Sequence, residues 1–164
     1  MVQFRPATVE DYPAICNLVT TPQESFLIWP AGCYPWTVEQ LETLAQQRCE
    51  LTVVMDGDQL IGFANLYDYV ANRYAFIGNV VIHQNYRGRG LGRQLVAHML
   101  VLAFDQHRLR EVRISVFADN APALLLYGRL GFAPYAMEER KDTLGRPVAL
   151  IHLRTGRAEQ SASL

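Results

Sequence analysis

No run of this sequence approaches the roughly eighteen consecutive apolar residues of a membrane span, and the segment from Met1 to Pro6 has no apolar core of the kind a secretory leader needs. No membrane partner is expected, and a cytoplasmic setting is. Cysteine is also scarce. Cys16, Cys33 and Cys49 are odd in number, dispersed and without C-x-x-C spacing, which argues against a disulfide framework or a zinc site. The histidines, His83, His98, His107 and His152, show no ligand spacing, so no metal is expected. An excess of one charge is missing too. With 15 basic and 16 acidic residues and a net charge of −1, the chain makes no global electrostatic case for nucleic acid or an acidic polymer.

What remains is enough for one domain. The chain has 164 residues, half of them apolar, close to the common domain size of ~100–150 residues. A single domain is expected over residues 1–154, followed by a polar tail, 155–164, expected to be disordered. Val2 to Arg5 reads as a strand, and Thr8-x-x-Asp11 as a capping box opening a helix with Tyr12, Ile15, Cys16 and Val19 on one face. Pro22, Pro30, Gly32 and Pro35 make a continuous helix from Thr21 to Trp36 improbable. Thr37-x-x-Gln40 caps a second helix ending near Arg48. Leu51–Met55 and Gln59–Tyr69 then form a hairpin about Asp56-Gly57-Asp58, and Tyr74–Ile82 makes a further strand.

The run Arg87-Gly88-Arg89-Gly90-Leu91-Gly92-Arg93 follows the β-branched stretch Val80-Val81-Ile82 and opens a segment with Leu91, Leu95, Met99 and Leu102 at helical spacing. A strand, a glycine-rich turn and a helix N-terminus form an anion cradle, because glycines admit close approach and free N–H groups point outward with the helix dipole behind them. Three arginines beside one turn suit a phosphorylated ligand. A dinucleotide fingerprint fails because its third glycine would fall at Arg93, and no Gly-Lys-Ser/Thr ends the run as a P-loop requires. Downstream, Glu111–Phe117 reads as a strand. Asn120 reads as an N-cap with Pro122 in the first turn, and Gly131 as the end of that helix. Phe132–Glu139 and Val148–Leu153 pair plausibly across the Asp142–Pro147 turn.

The spacing Arg87-x-x-Gly90-x-Gly92 resembles the acyl-CoA pyrophosphate loop of the GNAT N-acetyltransferase superfamily. The segment from Asn120 through Ala123 and Tyr127 to Gly131-Phe132 resembles its second hallmark, about thirty residues on. The resemblance implies a mixed α/β, α+β-like three-layer fold. Its central sheet would be mostly antiparallel, with about seven strands splayed at the cofactor site and about four helices. It further implies acetyl-CoA as cofactor, transfer to a primary amine by direct attack in a ternary complex, and a possible homodimer.

Residue roles follow from the same resemblance. Backbone groups of Val80, Val81 and Ile82 are expected along the pantetheine arm, the N–H groups from Gly88 through Gly90, Leu91 and Gly92 to Arg93 at the pyrophosphate, and the charges of Arg87 and Arg89 beside it. Asn120 is expected to cap its helix and to touch the pantetheine. Tyr127 is expected to donate to the departing thiolate, since a phenol of pKa ~10 is protonated at neutral pH. The general base is where the chain departs from many relatives. The acidic positions of the family fall at Gly78 or Asn79 and at Ser115, leaving a water chain, Asp68 or Glu24 as candidates. Without a strong base, a weakly basic or α-amino acceptor is expected: freeing an amine of pKa ~10.4 at pH 7 costs about 4.6 kcal/mol, against about 1 kcal/mol for one near ~7.8. Phe26, Trp29, Tyr34 and Trp36, with Tyr67 or Tyr69, are candidates for an acceptor pocket or, equally, for a satellite core. A peptide N-terminus is an alternative acceptor, and a non-catalytic acyl-CoA sensor an alternative function.

Overall fold

Alternating apolar residues on either side of Asp56-Gly57-Asp58 build the first hairpin. In the computed structural model, which describes residues 1–162, β2 (Cys49–Asp56) and β3 (Gln59–Val70) pair antiparallel about Gly57, whose φ of 59° lies in the left-handed region open to glycine. The strand β1 (Val2–Pro6) adds to the free edge of β2, and β4 (Tyr74–Ile82) to that of β3. Next, β5 (Glu111–Phe117) runs parallel to β4, β7 (Pro147–Gly156) antiparallel to β5, and β6 (Ala133–Lys141) forms the far edge. The result is one mixed, mostly antiparallel sheet of seven strands in the order β1-β2-β3-β4-β5-β7-β6.

Successive strand residues point to opposite faces, and the core divides accordingly. Val53, Phe63 and Val81 meet α1 (Tyr12–Cys16) and α3 (Val38–Gln47) through Ile15, Leu41 and Leu44. Their neighbours Val54, Ala64 and Ile82 meet α4 (Leu91–Val101) and α5 (Ala121–Arg129) through Leu95, Met99 and Tyr127. Helices thus cover both faces, giving three layers.

Two short helices were not expected. The segment after Thr21 forms α2 (Pro22–Ile28): Thr21 Oγ1 accepts from the Glu24 amide at 3.1 Å, and Pro22 occupies the first turn, where its missing N–H costs nothing. Proline there starts a helix rather than breaking one. The expected disordered tail also differs from the structure. Val112 pairs with Thr155 and Glu111 with Gly156, so β7 runs past residue 154 into α6 (Arg157–Ala162). Gln160 Nε2 then donates to the Leu130 carbonyl at 2.7 Å and to Thr155 Oγ1 at 2.9 Å, fastening the helix to the domain. Residues 163 and 164 of that tail lie outside the described residues. No helix among the described residues is long and apolar enough to cross a membrane.

The entry to α1 supports a stability prediction. Asp11 accepts from the Thr8 amide at 2.8 Å and takes a bidentate pair from Arg5 at 2.7 and 2.8 Å, which holds its carboxyl below the usual carboxylate range. A depressed carboxyl stabilises the fold above its unfolded value, near ~3.9, and that stabilisation is lost as pH falls through the folded value. Arg5 is partly exposed, so solvent screens the pair. Asp11→Asn should cost about 1 kcal/mol in urea unfolding at neutral pH, and the gap to the wild type should close below a pH of about 4.

Candidate active site

β4 and β5 part company at the centre of the sheet. They pair only from Tyr74 with Glu111 to Ile77 with Ile114, after which β5 continues beside β7 as far as Phe117. β4 instead carries an extra residue against β3 at Asn79, which adopts a φ of 53°. A bulge bends a strand and re-aims its side chains. The parting opens a cleft of about 720 Å³ whose walls include Gly78 to Ile82 on one side and Ser115 to Phe117 on the other. Among the described residues, that stretch of β4 has no strand partner toward β5. An extended ligand can therefore pair with Val80, Val81 and Ile82 as an added strand would.

The arginine-glycine turn closes one end of the cleft. Gly88 and Gly90 take φ values of 76° and 77°, and Gly90 is the residue from which α4 starts. A Cβ at either glycine would meet nothing within 4 Å, so backbone conformation, not crowding, calls for glycine. The first-turn N–H groups of Leu91, Gly92 and Arg93 precede the first backbone bond of α4, from the Gln94 amide to the Gly90 carbonyl at 3.1 Å. Free first-turn N–H groups with the positive end of the helix dipole behind them are the arrangement an anion needs.

The three arginines differ in duty. Arg87 donates Nε to the Ile82 carbonyl at 2.9 Å and pairs with Glu24, fastening the turn to both β4 and α2. Arg89 lies outside the cleft wall, over the Tyr86 ring and bonded to the Asn85 carbonyl at 3.2 Å. Arg93 lines the cleft and forms no ion pair among the described residues.

Asn120 and Tyr127 stand on the wall contributed by α5. Asn120 Oδ1 accepts from the Ala123 amide at 3.4 Å as the helix cap. Tyr127 is buried in the core and touches Phe132 edge to face, and burial pushes its phenol well above the ordinary range. The hydroxyl is held as O–H at any working pH.

Of the aromatic candidates, Trp29 and Tyr67 line the cleft and the others do not. Phe26 stacks on Phe117 at 4.6 Å, the Tyr34 hydroxyl donates to the Thr20 carbonyl at 2.8 Å, and Trp36 is buried with its indole N–H on Ser25 Oγ at 3.0 Å. Phe26 thus packs α2 on the end of β5, while Tyr34 and Trp36 pin the loop between α2 and α3. Tyr69 pairs with His107 outside the wall. Glu24 is committed to Arg87, which leaves it a poor base.

Two groups on the wall were not expected from the sequence. Ser115 of β5 and His152 of β7 are register partners, and Ser115 Oγ lies 2.7 Å from His152 Nδ1. His152 Nε2 lies 3.4 Å from Glu138 Oε2 on β6. Glu138 is held in the carboxylate form, first by Arg140 and then by His152. A carboxylate at Nε2 places the imidazole hydrogen there and leaves Nδ1 to accept from Ser115. The second group is Arg48, which follows α3. Its Nη1 donates to Asn79 Oδ1 at 2.6 Å and Asn65 Oδ1 at 3.1 Å, and its guanidinium lies 4.3 Å above the Tyr67 ring. Among the described residues no cluster of side chains can hold a metal ion.

Comparison with known proteins agrees with this geometry. Residues 13–132 match the model of the acetyltransferase (GNAT) family. The L-amino acid N-acetyltransferase AaaT of Escherichia coli (strain K12) is 24% identical over 145 residues, 80% of this chain and 82% of its own. The [ribosomal protein bS18]-alanine N-acetyltransferase of the same strain is 26% identical over 141 residues, 84% of this chain and 93% of its own. Among solved structures, the spermidine N-acetyltransferase from Vibrio cholerae in complex with CoA and spermine superposes with a TM-score of 0.82 at 21% identity, covering 98% of each chain.

Proposed function

From the premise that this chain belongs to the acetyltransferase (GNAT) family and is an acetyl-CoA-dependent acyltransferase acting on amines, we propose that its acceptor is a small molecule carrying an α-amino or otherwise weakly basic amine. The observation that carries this reading is the Ser115–His152 pair on the cleft wall. The pair offers one neutral imidazole nitrogen reached through a hydroxyl, a path that suits an acceptor whose amine arrives already unprotonated. An amine of pKa ~10.4 stays an ammonium at neutral pH and is poorly matched to it. The cleft volume, about 720 Å³, falls within the ~300–1,000 Å³ typical of small-molecule sites. The name of the L-amino acid N-acetyltransferase among the relatives points the same way.

The residues present fit the cofactor. The free edge of β4 from Val80 to Ile82 suits the amides of a pantetheine arm, the N–H groups of Leu91, Gly92 and Arg93 suit a pyrophosphate, and Asn120 and Tyr127 line the same cleft from α5. Acetyl-CoA, when bound, supplies an acetyl thioester that a neutral amine can acylate itself on, with release of the thiol.

The chain's own groups then handle the protons. Ser115 Oγ accepts a proton from the amine nitrogen and passes its own to His152 Nδ1, leaving an imidazolium facing Glu138. Tyr127 Oη hydrogen-bonds the departing thiolate sulfur, which takes its proton from water on release. Orientation supplies the rest of the rate: holding the amine against the acyl carbon avoids the entropy cost of a bimolecular encounter. With a base present at Ser115–His152, the reading as a sensor without catalysis loses the absence on which it rested.

The test is thiol release from acetyl-CoA against amino acids, aminoalkyl compounds, polyamines and short peptides. α-Amino acceptors are expected to lead by at least about tenfold in kcat/KM at neutral pH, and the gap to high-pKa amines should narrow as pH rises toward ~10. A polyamine leading at neutral pH would overturn the proposal.

A further inference from the structure

The guanidinium of Arg48 is a charge in the cleft wall without a counter-charge. Its partners are all neutral: two asparagine carbonyl oxygens on Nη1 and the face of Tyr67. Among the described residues no carboxylate pairs with it. The other guanidiniums on the wall that lie near carboxylates are already engaged, Arg87 with Glu24 and Arg140 with Glu138. Asp68 is close enough to act on Arg48 through the field, yet it is exposed and forms no ion pair with it. Burial opposes the charged form of this arginine. A partly buried cation in this state gains much from an anion that arrives with the ligand.

The backbone is shaped around this side chain. A Cβ at Gly78 would stand 2.5 Å from Arg48 Nη1 and 2.7 Å from the Tyr67 ring, so glycine leaves room there for the guanidinium. Asn79 accepts from Arg48 with the same Oδ1 that accepts from Asn65 Nδ2 at 2.7 Å, while its own Nδ2 donates to the Ile28 carbonyl at 3.2 Å. With Nη1 engaged, Nε and Nη2 have no protein acceptor among the described residues. Those two donors form the side-on fork that matches a planar oxyanion with two hydrogen bonds.

The pyrophosphate cradle is not that anion's source. Gly78 lies four residues before Ile82, roughly 13 Å along an extended strand. The reactive end of the cleft is close instead, because Tyr67 lies beneath Arg48 and interacts with Ser115.

We propose that Arg48 is the acceptor-binding residue for a carboxylate, so that the acceptor is a zwitterion bearing both the reacting amine and a carboxyl group. This rests on the α-amino reading above and sharpens it to amino acids and their close analogues; pairing the carboxylate with Arg48 offsets the field by which a free carboxylate makes the α-amine more basic, returning it toward the weakly basic range. The same guanidinium disfavours polycationic acceptors by like-charge repulsion.

Free amino acids and their primary amides separate the two readings. The amide keeps the α-amino group and makes it less basic, so a requirement for a weakly basic amine alone puts the amide level with the acid or ahead. A carboxylate clamp puts the acid ahead by about 10- to 100-fold in kcat/KM, through KM. In Arg48→Met the acid and amide should fall within about threefold of each other, with acetyl-CoA affinity, measured by calorimetry, unchanged. Should Arg48→Met fail to fold, Arg48→Lys keeps the charge without the fork, and the preference should shrink to a few-fold. Wild-type turnover of the amide equal to or above that of the acid, or a preference that survives in Arg48→Met, overturns the assignment and leaves the α-amino reading standing. Turnover confined to polyamines overturns both.

Discussion

Tyr127→Phe is expected to lower kcat about 100-fold while KM for acetyl-CoA moves by less than about threefold, a loss equivalent to about 2.7 kcal/mol of transition-state stabilisation. The ring is fixed by packing. Tyr127 sits in the apolar cluster between α4, α5 and the sheet and touches Phe132 edge to face, and phenylalanine preserves those contacts. The hydroxyl gives its hydrogen to no protein acceptor among the described residues, so removing it orphans nothing, and the melting temperature should change by no more than a degree or two. Burial drives the phenol above its ordinary range. Outright proton delivery to a thiolate is then uphill, and the contribution at Oη is a hydrogen bond that strengthens as charge builds on sulfur. An interaction that grows only in the transition state lowers kcat and kcat/KM together. Initial rates with varied acetyl-CoA check this, and an unchanged kcat would reduce Tyr127 to a core residue.

The features that were legible in the sequence are those written in consecutive residues. The cradle needs only the order strand, glycine, helix, which Val80 to Arg93 spells out. Asn120 and Tyr127 share one helix and need no tertiary information to be placed together. The hairpin about Gly57 and the cap at Thr37 are local in the same sense, and β2, β3 and α3 form where expected. What could not be read depends on register between distant segments. Ser115 and His152 are 37 residues apart and meet because β5 and β7 pair in one register; a slip of one residue would turn His152 to the other face. Glu138 joins them because Ala136 pairs with His152, which puts Glu138 two residues along the same face of the outer strand. Arg48 reaches the cleft because Cys49 pairs with Leu66 beside Tyr67. In α2 the failure was local: the prolines after Thr21 read as breakers, although Thr21-Pro22 is also a helix start.

If Ser115 and His152 act as one proton path, His152→Asn should lower kcat/KM for the preferred amine by about 100- to 1,000-fold at neutral pH. Asparagine can still meet Ser115 near the position of Nδ1 but cannot accept a proton. In His152→Asn the remaining activity should rise steadily with the free-base fraction of the acceptor, because no side chain there takes the proton. Ser115→Ala breaks the same path one atom earlier. The double variant should therefore be little worse than the more damaged single one, because both substitutions remove one function. Losses that simply multiply would reject the relay and assign the two residues separate duties. Glu138 is partly exposed at the sheet edge, where water can replace a carboxylate at Nε2, so Glu138→Gln should cost only a few-fold. An effect there as large as that of His152→Asn would mean that the imidazole depends on Glu138 for its orientation and hydrogen placement, in the manner of a buried triad carboxylate.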